Sequence, residues 1–368
     1  MKLEYLVASI LLAQSALGGV VNVPVGRAVR PASKIQKRDV FNKPVFNFVV
    51  SYVMDVNIGA PGSETQYTLL VDSGSSNTWV GNNKKYVKTS TSHDTGLSVV
   101  IAYGSGNMTG EEYIDRLSLH PDLTVEHQSI GVANFSTIGG SEDGIIGIGP
   151  LDLTLGTLSD KKLLVPRVQD NLYHDGTIDN NVVGVSFAPT NIANQSNGVV
   201  TFGGVDNTKF LGLLDYVDIT TRKPTSTFWG VDIAAKYGDT SLLDNATAIV
   251  DTGTTLNLLA DEAFNAFLAL TGAVFDVNIG LPKVTQDQYQ AMQSLYFNIG
   301  SCIYELIPDA IRWPKAFNAE IGAAPDDIYL AIGSTGTAAG TDIDIFLGMM
   351  FIERYYIALD SDSKQVGK

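Results

Sequence analysis

Two aspartates occupy equivalent places in an internal repeat of the sequence. Asp72 lies in residues 70–76 (LVDSGSS), and Asp251 lies 179 positions later in residues 249–255 (IVDTGTT). In each copy two aliphatic residues lead into the aspartate, and a hydroxyl residue, a glycine and two more hydroxyl residues follow it. A single Asp-Ser-Gly is typical of an ordinary turn or helix cap. Two copies about one domain length apart instead predict two homologous lobes whose loops meet.

A pair of carboxyl groups brought together in this way has a definite chemistry. Two carboxylates roughly 3 Å apart do not both ionise readily, so they share one proton and titrate as a pair. The ionised member then takes a proton from water while the protonated member donates one to a carbonyl oxygen. Asp72 and Asp251 are therefore candidates for adding water to a peptide bond without a cofactor.

The segments around the repeat predict mostly β structure. Apolar and polar residues alternate in short runs at residues 67–71, 98–103, 182–187 and 198–202, which favours antiparallel strands. The clearest helical pattern covers residues 261–270, with Asp261 as the expected N-cap and an apolar face formed by Ala263, Phe264, Phe267 and Leu268. A second echo, IIG at 145–147 and FLG at 346–348, follows the two aspartates. We expect an all-β fold with two lobes.

Composition excludes several classes of protein. A chain of 368 residues is too long for one small module, and its net charge of −15 disfavours nucleic acids and anionic lipid surfaces as partners. Cys302 is the only cysteine, so no intramolecular disulfide can form. The four histidines show no metal-ligand spacing, and neither a GxSxG elbow nor a convincing nucleotide loop occurs. We expect no metal and no cofactor.

The N-terminal residues have the form of targeting and processing segments. Lys2 precedes an apolar run at residues 6–13 and a small-residue cleavage site at 16–18, which predicts a signal peptide at 1–18 and an extracellular destination, with a vacuole as the alternative. Residues 19–43 are rich in Lys and Arg and contain the dibasic pair Lys37-Arg38, which predicts a short pro-segment; an unstructured tail is the alternative. No later run is long enough for a membrane span. The lobes are expected at 44–211 and 212–368.

Several motifs in order give the chain a family resemblance. Residues 71–80 (VDSGSSNTWV), 143–157 (DGIIGIGPLDLTLGT), 249–256 (IVDTGTTL) and 351–354 (FIER) resemble the pepsin-like aspartic endopeptidases, and the likeness runs from about 51 to 367. The resemblance implies an all-β bilobal fold with a cleft between homologous lobes. It also implies extended polypeptide substrates, pepstatin-type inhibitors, an acidic working pH and a preference for apolar residues beside the cleaved bond. Asp72 and Asp251 match the catalytic dyad.

The resemblance also assigns supporting residues around each aspartate. Ser75 and Thr254 match hydroxyls that hydrogen-bond the outer carboxylate oxygens and favour the ionised form. Ser73 and Thr252 match hydroxyls whose bonds cross to the opposite lobe and lock the loops together. The glycines of the two loops are expected to border the substrate, namely Gly74 and Gly253.

Residues 102–106 (AYGSG) resemble the family's flap, a hairpin that closes over the substrate. Tyr103 matches the flap tyrosine, Trp79 matches the residue that positions it, and Gly104 and Ser105 are expected to contact substrate. Ser105 stands where relatives that accept basic side chains carry Asp. Glu142 stands where several relatives have an apolar residue near the primary pocket, which leaves the specificity open.

Four Asn-x-Ser/Thr sequons are candidates for N-glycosylation, at Asn107, Asn134, Asn194 and Asn245. Asn107 lies within the proposed flap, where a glycan would have to point away from the cleft.

We expect a monomer. The competing hypothesis is a catalytically silent protein of the same fold that binds peptides or carbohydrates. Intact Asp-(Ser/Thr)-Gly units and Tyr103 favour an enzyme.

Overall fold

Short strands joined by turns make up most of the chain. A computed structural model describes residues 40–47 and 49–368. The predicted signal peptide and the dibasic pair lie outside these residues. The strands, in chain order, are β1 (Phe41–Asn47), β2 (Tyr52–Ile58), β3 (Thr65–Asp72), β4 (Thr78–Val80), β5 (His93–Tyr103), β6 (Gly106–His120), β7 (Leu123–Ser136), β8 (Gly144–Gly147), β9 (Val182–Ser186), β10 (Gln195–Phe202), β11 (Tyr216–Asp218), β12 (Gly230–Tyr237), β13 (Thr240–Val250), β14 (Asn257–Leu259), β15 (Val274–Asp276), β16 (Leu281–Val284), β17 (Leu295–Ile299), β18 (Cys302–Leu306), β19 (Ile328–Tyr329), β20 (Ile332–Ser334), β21 (Ile345–Leu347), β22 (Ile357–Asp360) and β23 (Gln365–Gly367).

Helices are few and short. The α-helices are α1 (Val168–His174), α2 (Asp261–Thr271), α3 (Gln286–Gln290) and α4 (Met349–Ile352). Single turns of 3-10 helix lie at Leu151–Thr154, Thr225–Thr227, Pro308–Ala310, Lys315–Phe317 and Ala319–Ile321. Within the described ranges, no helix has the length and apolar character needed to cross a bilayer.

The strands form three sheets. The largest has 13 strands in the order β11-β23-β22-β9-β10-β1-β2-β3-β8-β4-β7-β6-β5. A seven-stranded sheet has the order β18-β17-β12-β13-β21-β14-β20, and a three-stranded sheet has the order β15-β16-β19. The largest sheet contains both the first strands of the chain and its last two strands. Within it, β22 pairs antiparallel with β9. The all-β prediction is confirmed by this architecture.

The predicted strand segments lie within observed strands, because the alternation in sequence becomes alternation in burial. In β3, Tyr67, Leu69 and Val71 are buried while Thr68 and Leu70 are only half-buried. The runs predicted at 98–103, 182–187 and 198–202 fall in β5, β9 and β10. Burial on alternate positions is what a strand with one face against a core requires.

The two aspartate-bearing strands are placed by equivalent pairings. β3 pairs in parallel with β8, so that Asp72 lies opposite Gly147. β13 pairs in parallel with β21, so that Val250 lies opposite Leu347, and the amide of Asp251 donates to the Leu347 carbonyl at 3.0 Å. The second echo of the repeat therefore forms the strand that lies beside each aspartate.

Helix α2 forms where the apolar periodicity predicts it. Ala263, Phe264 and Phe267 are buried, and Leu268 is half-buried at the edge of the same core. The predicted N-cap is wrong. Asp261 is the first helical residue and Ala260 is the N-cap, because the Asp261 carboxylate accepts a hydrogen bond from the Ser334 hydroxyl rather than capping its own helix.

A small apolar core lies beneath the β5–β6 hairpin and is separate from the main core. Its buried members are Trp79, Val99, Ile101, Met108, Ile145, Leu158 and Val165. Partly buried Tyr103 packs against this cluster from the end of β5. The hairpin base is therefore anchored by side chains, while its tip is free of such packing because Gly104 and Ser105 carry little or no side chain.

Candidate active site

The first aspartate loop holds its carboxylate by two hydrogen bonds. Asp72 is the last residue of β3 and is 5% exposed. The Gly74 amide donates to Asp72 Oδ1 at 2.9 Å, and the Ser75 hydroxyl donates to Asp72 Oδ2 at 2.5 Å. Both bonds favour the ionised carboxylate, since both donors supply hydrogen to its oxygens.

The second loop repeats this arrangement around Asp251, which follows β13 directly and is 7% exposed. The Gly253 amide donates to Asp251 Oδ1 at 2.9 Å, and the Thr254 hydroxyl donates to Asp251 Oδ2 at 2.6 Å. The two loops thus present their carboxylates with the same oxygen bonded in the same way, as the sequence repeat predicts.

The glycines of the two loops show how closely the carboxylates approach each other. A Cβ atom on Gly74 would lie 2.6 Å from Asp251 Oδ1, and one on Gly253 would lie 2.5 Å from Asp72 Oδ1. Each glycine therefore faces the carboxylate of the opposite loop. No larger residue fits without displacing that carboxylate, so the glycines permit the pairing.

Ser73 and Thr252 join the loops by a second, buried set of bonds. The amide of Ser73 donates to Thr252 Oγ1 at 2.8 Å, and the amide of Thr252 donates to Ser73 Oγ at 2.9 Å. The hydroxyls then donate onward, from Ser73 to the Val250 carbonyl at 2.8 Å and from Thr252 to the Val71 carbonyl at 2.7 Å. Four bonds related by approximate twofold symmetry fix the distance between the aspartates.

Burial and the facing carboxylate shift the titration of the site. Removal from water raises the pKa of Asp72 to about 7, and the negative charge of Asp251 acts in the same direction. The hydrogen bonds from Ser75 and Gly74 oppose this rise without cancelling it. A proton is therefore retained between the two carboxyl groups well above the pH at which an exposed aspartate loses its own.

The hairpin predicted as the flap is present. β5 and β6 pair antiparallel up to Tyr103 opposite Gly106, with Gly104 and Ser105 in the turn. Trp79 is fully buried, and its Nε1 donates to the Tyr103 hydroxyl at 2.8 Å. Burial raises the pKa of Tyr103 above its usual range, and the negative charge of Asp72 acts in the same direction.

Two contacts beside the site were not predicted from the sequence. The Thr255 hydroxyl, at the end of the second copy of the repeat, donates to the Val50 carbonyl at 2.5 Å. The next residue, Ser51, donates from its hydroxyl to Glu142 Oε1 at 2.5 Å. The repeat carried a signal for the first contact. It ends in two hydroxyl residues, and only the first of them, Thr254, binds the aspartate, which leaves the Thr255 hydroxyl for another partner.

The predicted glycosylation sites are all on the surface. Asn107, Asn134, Asn194 and Asn245 are exposed, and the Asn107 amide donates to the Thr137 hydroxyl at 2.9 Å beside the hairpin. In the described part of the chain, no three His, Cys, Asp or Glu side chains are grouped so that they could hold a metal ion.

Comparison with known proteins decides the family. The family model for eukaryotic aspartyl protease matches residues 51–368, which include both aspartate loops and the hairpin. The chain belongs to this family. As an aspartyl protease it is an aspartic-type endopeptidase, and the resemblance to the pepsin-like aspartic endopeptidases is confirmed.

Two relatives and one solved structure show how far the similarity extends. This aspartyl protease is 45% identical to polyporopepsin of Irpex lacteus over 88% of its own length and 95% of that protein. It is 30% identical to rhizopuspepsin-1 of Rhizopus niveus over 86% of its length and 78% of that protein. The crystal structure of aspartic proteinase from Irpex lacteus superposes with a TM-score of 0.87, at 44% identity, covering 89% of this chain and 96% of that one.

Proposed function

We propose that this protein is a secreted endopeptidase that cleaves extended polypeptides at acidic pH, with Asp72 and Asp251 as its catalytic pair. The observation that carries the proposal is the position of Gly74 and Gly253, each facing the opposite carboxylate at a distance that only glycine tolerates. Two carboxyl groups held so close share one proton.

The shared proton gives the two aspartates different tasks. The ionised carboxyl accepts a proton from water as that water attacks the peptide carbonyl carbon, and the protonated carboxyl donates to the carbonyl oxygen. Ser75 and Thr254 each bond one outer oxygen, so either aspartate can carry the negative charge. Ser73 and Thr252 keep the pair in register while the proton moves.

The hairpin and the loop glycines are proposed to hold the substrate. Gly104 and Ser105 form a turn with little side-chain bulk, which lets backbone groups approach an extended peptide. The bond from Trp79 fixes Tyr103 next to the pair, where the ring helps exclude water when the hairpin closes. Ser105 supplies no charge, which supports a preference for apolar residues on either side of the cleaved bond. It also supports the binding of pepstatin-type inhibitors at the same place.

Secretion and processing form the second part of the proposal. A leader with Lys2, an apolar run and a small-residue cleavage site supports export. Cleavage after Arg38 leaves β1 whole, because that strand begins at Phe41 and pairs with β10 in the largest sheet. Both catalytic loops come from one chain, which supports activity as a monomer. N-terminal sequencing of the protein from culture medium tests the cleavage site.

The decisive experiment is hydrolysis of casein and of a fluorogenic peptide from about pH 2.5 to 7, with and without pepstatin. Asp72→Asn is compared with Asp239→Asn, a matched change at an exposed turn between β12 and β13. We expect acid activity that is abolished by pepstatin and by Asp72→Asn and retained in Asp239→Asn. A folded, pro-segment-free protein with no activity would reject the proposal and leave a binding protein of the same fold.

A further inference from the structure

Glu142 lies in the loop that connects β7 to β8, the strand beside Asp72. The loop begins after β7, where the Thr137 amide donates to the Asn107 carbonyl at 2.9 Å next to the hairpin turn. It ends at β8, where the Asp143 amide donates to the Thr68 carbonyl at 2.8 Å. Residues 137–142 therefore border the space that the hairpin covers.

The segment at residues 49–51 contacts both Glu142 and the second aspartate loop. Thr255, which follows the hydroxyl that binds Asp251, donates to the Val50 carbonyl at 2.5 Å. Ser51 is 6% exposed and donates to Glu142 Oε1 at 2.5 Å. Glu142 is thus linked through one hydroxyl to a segment that is itself bonded to the second catalytic loop.

The Glu142 carboxylate has a hydrogen-bond partner but no positively charged neighbour among the described residues. Gly140, at φ 108°, leaves room for it, because a Cβ there would lie 2.1 Å from Glu142 Oε2. Its one hydrogen-bond donor among the described residues is the neutral hydroxyl of Ser51. Lys84 lies 3.6 Å from the neighbouring Asp143, and no cation of the described chain lies within 4 Å of Glu142.

The strand register gives the distance of Glu142 from the reacting centre. Asp72 lies opposite Gly147, and Glu142 precedes that glycine by five residues. At about 3.3 Å per residue, Glu142 lies at most roughly 16 Å from Gly147, the neighbour of Asp72, which is about the length of five residues of an extended substrate. Glu142 is therefore able to meet a substrate side chain at one of the first five positions from the cleaved bond.

We propose that Glu142 selects substrates carrying lysine or arginine at one position within five residues of the cleaved bond. This inference rests on the proposed function, and it adds a charge requirement to a site otherwise expected to prefer apolar residues. A half-buried carboxylate with only a neutral partner gains most from a cation that arrives with the substrate. The net charge of −15 attracts basic peptides in the same direction.

The test uses a peptide series in which one lysine, or a glutamine in its place, is moved through the five positions on each side of the cleaved bond. For each peptide kcat/KM is measured at pH 5.5, where a glutamate is ordinarily ionised. Glu142→Gln removes the charge while its amide oxygen still accepts from Ser51. Ser51→Ala removes the hydrogen bond and keeps the charge. Asp239→Asn removes a charge at the exposed turn between β12 and β13.

We expect the wild-type protein to prefer lysine over glutamine at one position, and Glu142→Gln to reduce that preference by about threefold to tenfold. Ser51→Ala and Asp239→Asn should retain the preference. Glu142→Gln would overturn the inference if it lowered kcat/KM equally for lysine and glutamine peptides, since that result marks a structural role. An unchanged preference would also overturn it. Failure of the wild type to cleave any peptide would instead reject the proposed function itself.

Discussion

The backbone amides of Ser73 and Thr252 each donate to the hydroxyl of the other residue, at 2.8 and 2.9 Å. Each hydroxyl then donates to a carbonyl of the opposite strand, so both side chains use their donor and their acceptor across the interface between the loops. Ser73 is fully buried and Thr252 is 1% exposed. This exchange fixes the two aspartate loops relative to each other, and its loss is open to a direct test.

Ser73→Ala is expected to destabilise the protein and lower its activity. The change leaves the Thr252 amide and the Val250 carbonyl buried without partners, at a cost of about 2–5 kcal/mol in the free energy of unfolding. Ser73→Thr keeps the hydroxyl and should retain most of both properties. Urea unfolding and kcat/KM on one peptide measure the two effects. Equal behaviour of the alanine and threonine variants would show that the Ser73 hydroxyl does not hold the two loops together.

The repeat predicts the aspartate pair because both copies carry the same local pattern, and the hairpin is predicted by the resemblance of residues 102–106 to the family's flap. Contacts between distant segments are different. The Thr255 bond to Val50 and the Ser51 bond to Glu142 join residues more than 90 positions apart. The repeat singles out the Thr255 hydroxyl, but nothing in the local sequence identifies the partners of either contact. The pairing of β22 with β9 is of the same kind, since register is set by the assembled sheet.

Charged side chains inside the fold are also hard to foresee. Arg167 is 2% exposed, and its guanidinium binds the Asp170 carboxylate and the Gly149 carbonyl just beyond β8. Arginine is rarely buried, so Arg167 would be expected at the surface even though Leu163, Leu164, Val165 and Val168 surround it in the sequence. The reacting residues are therefore easier to predict from the sequence than the residues that support the loop behind them.

Activity should fall as the pH rises through about 7. Burial and the charge of Asp251 raise the pKa of Asp72 to about 7, so the proton required for catalysis is present below that pH and lost above it. We expect the alkaline limb of kcat/KM near this value. Samples returned from each pH to pH 4.5 before a second assay separate loss of the proton from unfolding, because only the former recovers at once.

Ser75→Ala should move that alkaline limb to higher pH. The Ser75 hydroxyl donates to Asp72 Oδ2 and so holds the pKa of Asp72 lower than burial alone would set it. Without the bond the carboxyl keeps its proton up to a higher pH. The maximal rate should nevertheless fall, because the ionised form is less stable. A limb that stays in place or moves down would mean that another group controls it.

Glu112 should make the protein more stable in acid than at neutral pH. It is 2% exposed, and burial raises its pKa to about 7, with the Ser129 hydroxyl opposing the shift. A carboxyl with a raised pKa contributes stability that is complete below its unfolded value and lost as the pH rises through its folded value. The full shift corresponds to about 3 kcal/mol. Urea unfolding at pH 4.5 and pH 7.5 measures the difference.

Glu112→Gln is expected to remove about 2–3 kcal/mol of this difference, since glutamine has no proton to lose. Glu111→Gln is the matched control, because the neighbouring side chain is exposed. If both variants keep the wild-type pH dependence, the neutral-pH loss of stability arises from another buried acid.

Glu353 is a second buried acid with a raised pKa, and its hydrogen bond to Tyr52 affects how costly its ionisation is. Glu353 is 7% exposed, its pKa is raised by burial to about 7, and the Tyr52 hydroxyl, 2.9 Å from Glu353 Oε1, opposes the rise. The tyrosine belongs to β2 and the glutamate follows α4, 301 positions later. The hydrogen bond therefore couples two distant parts of the chain, and its strength depends on whether the glutamate is charged.

Tyr52→Phe should consequently cost more stability at pH 7.5 than at pH 5. At pH 5 Glu353 is protonated, and the variant loses an uncharged hydrogen bond worth about 1 kcal/mol. At pH 7.5 the ionised carboxylate loses a charge-assisted bond worth about 1.5–3 kcal/mol. Tyr173→Phe, at a side chain 41% exposed, controls for the loss of a hydroxyl. Equal cost at both pH values would show that Glu353 does not ionise in the folded protein, because a bond to a neutral acid is indifferent to this change of pH.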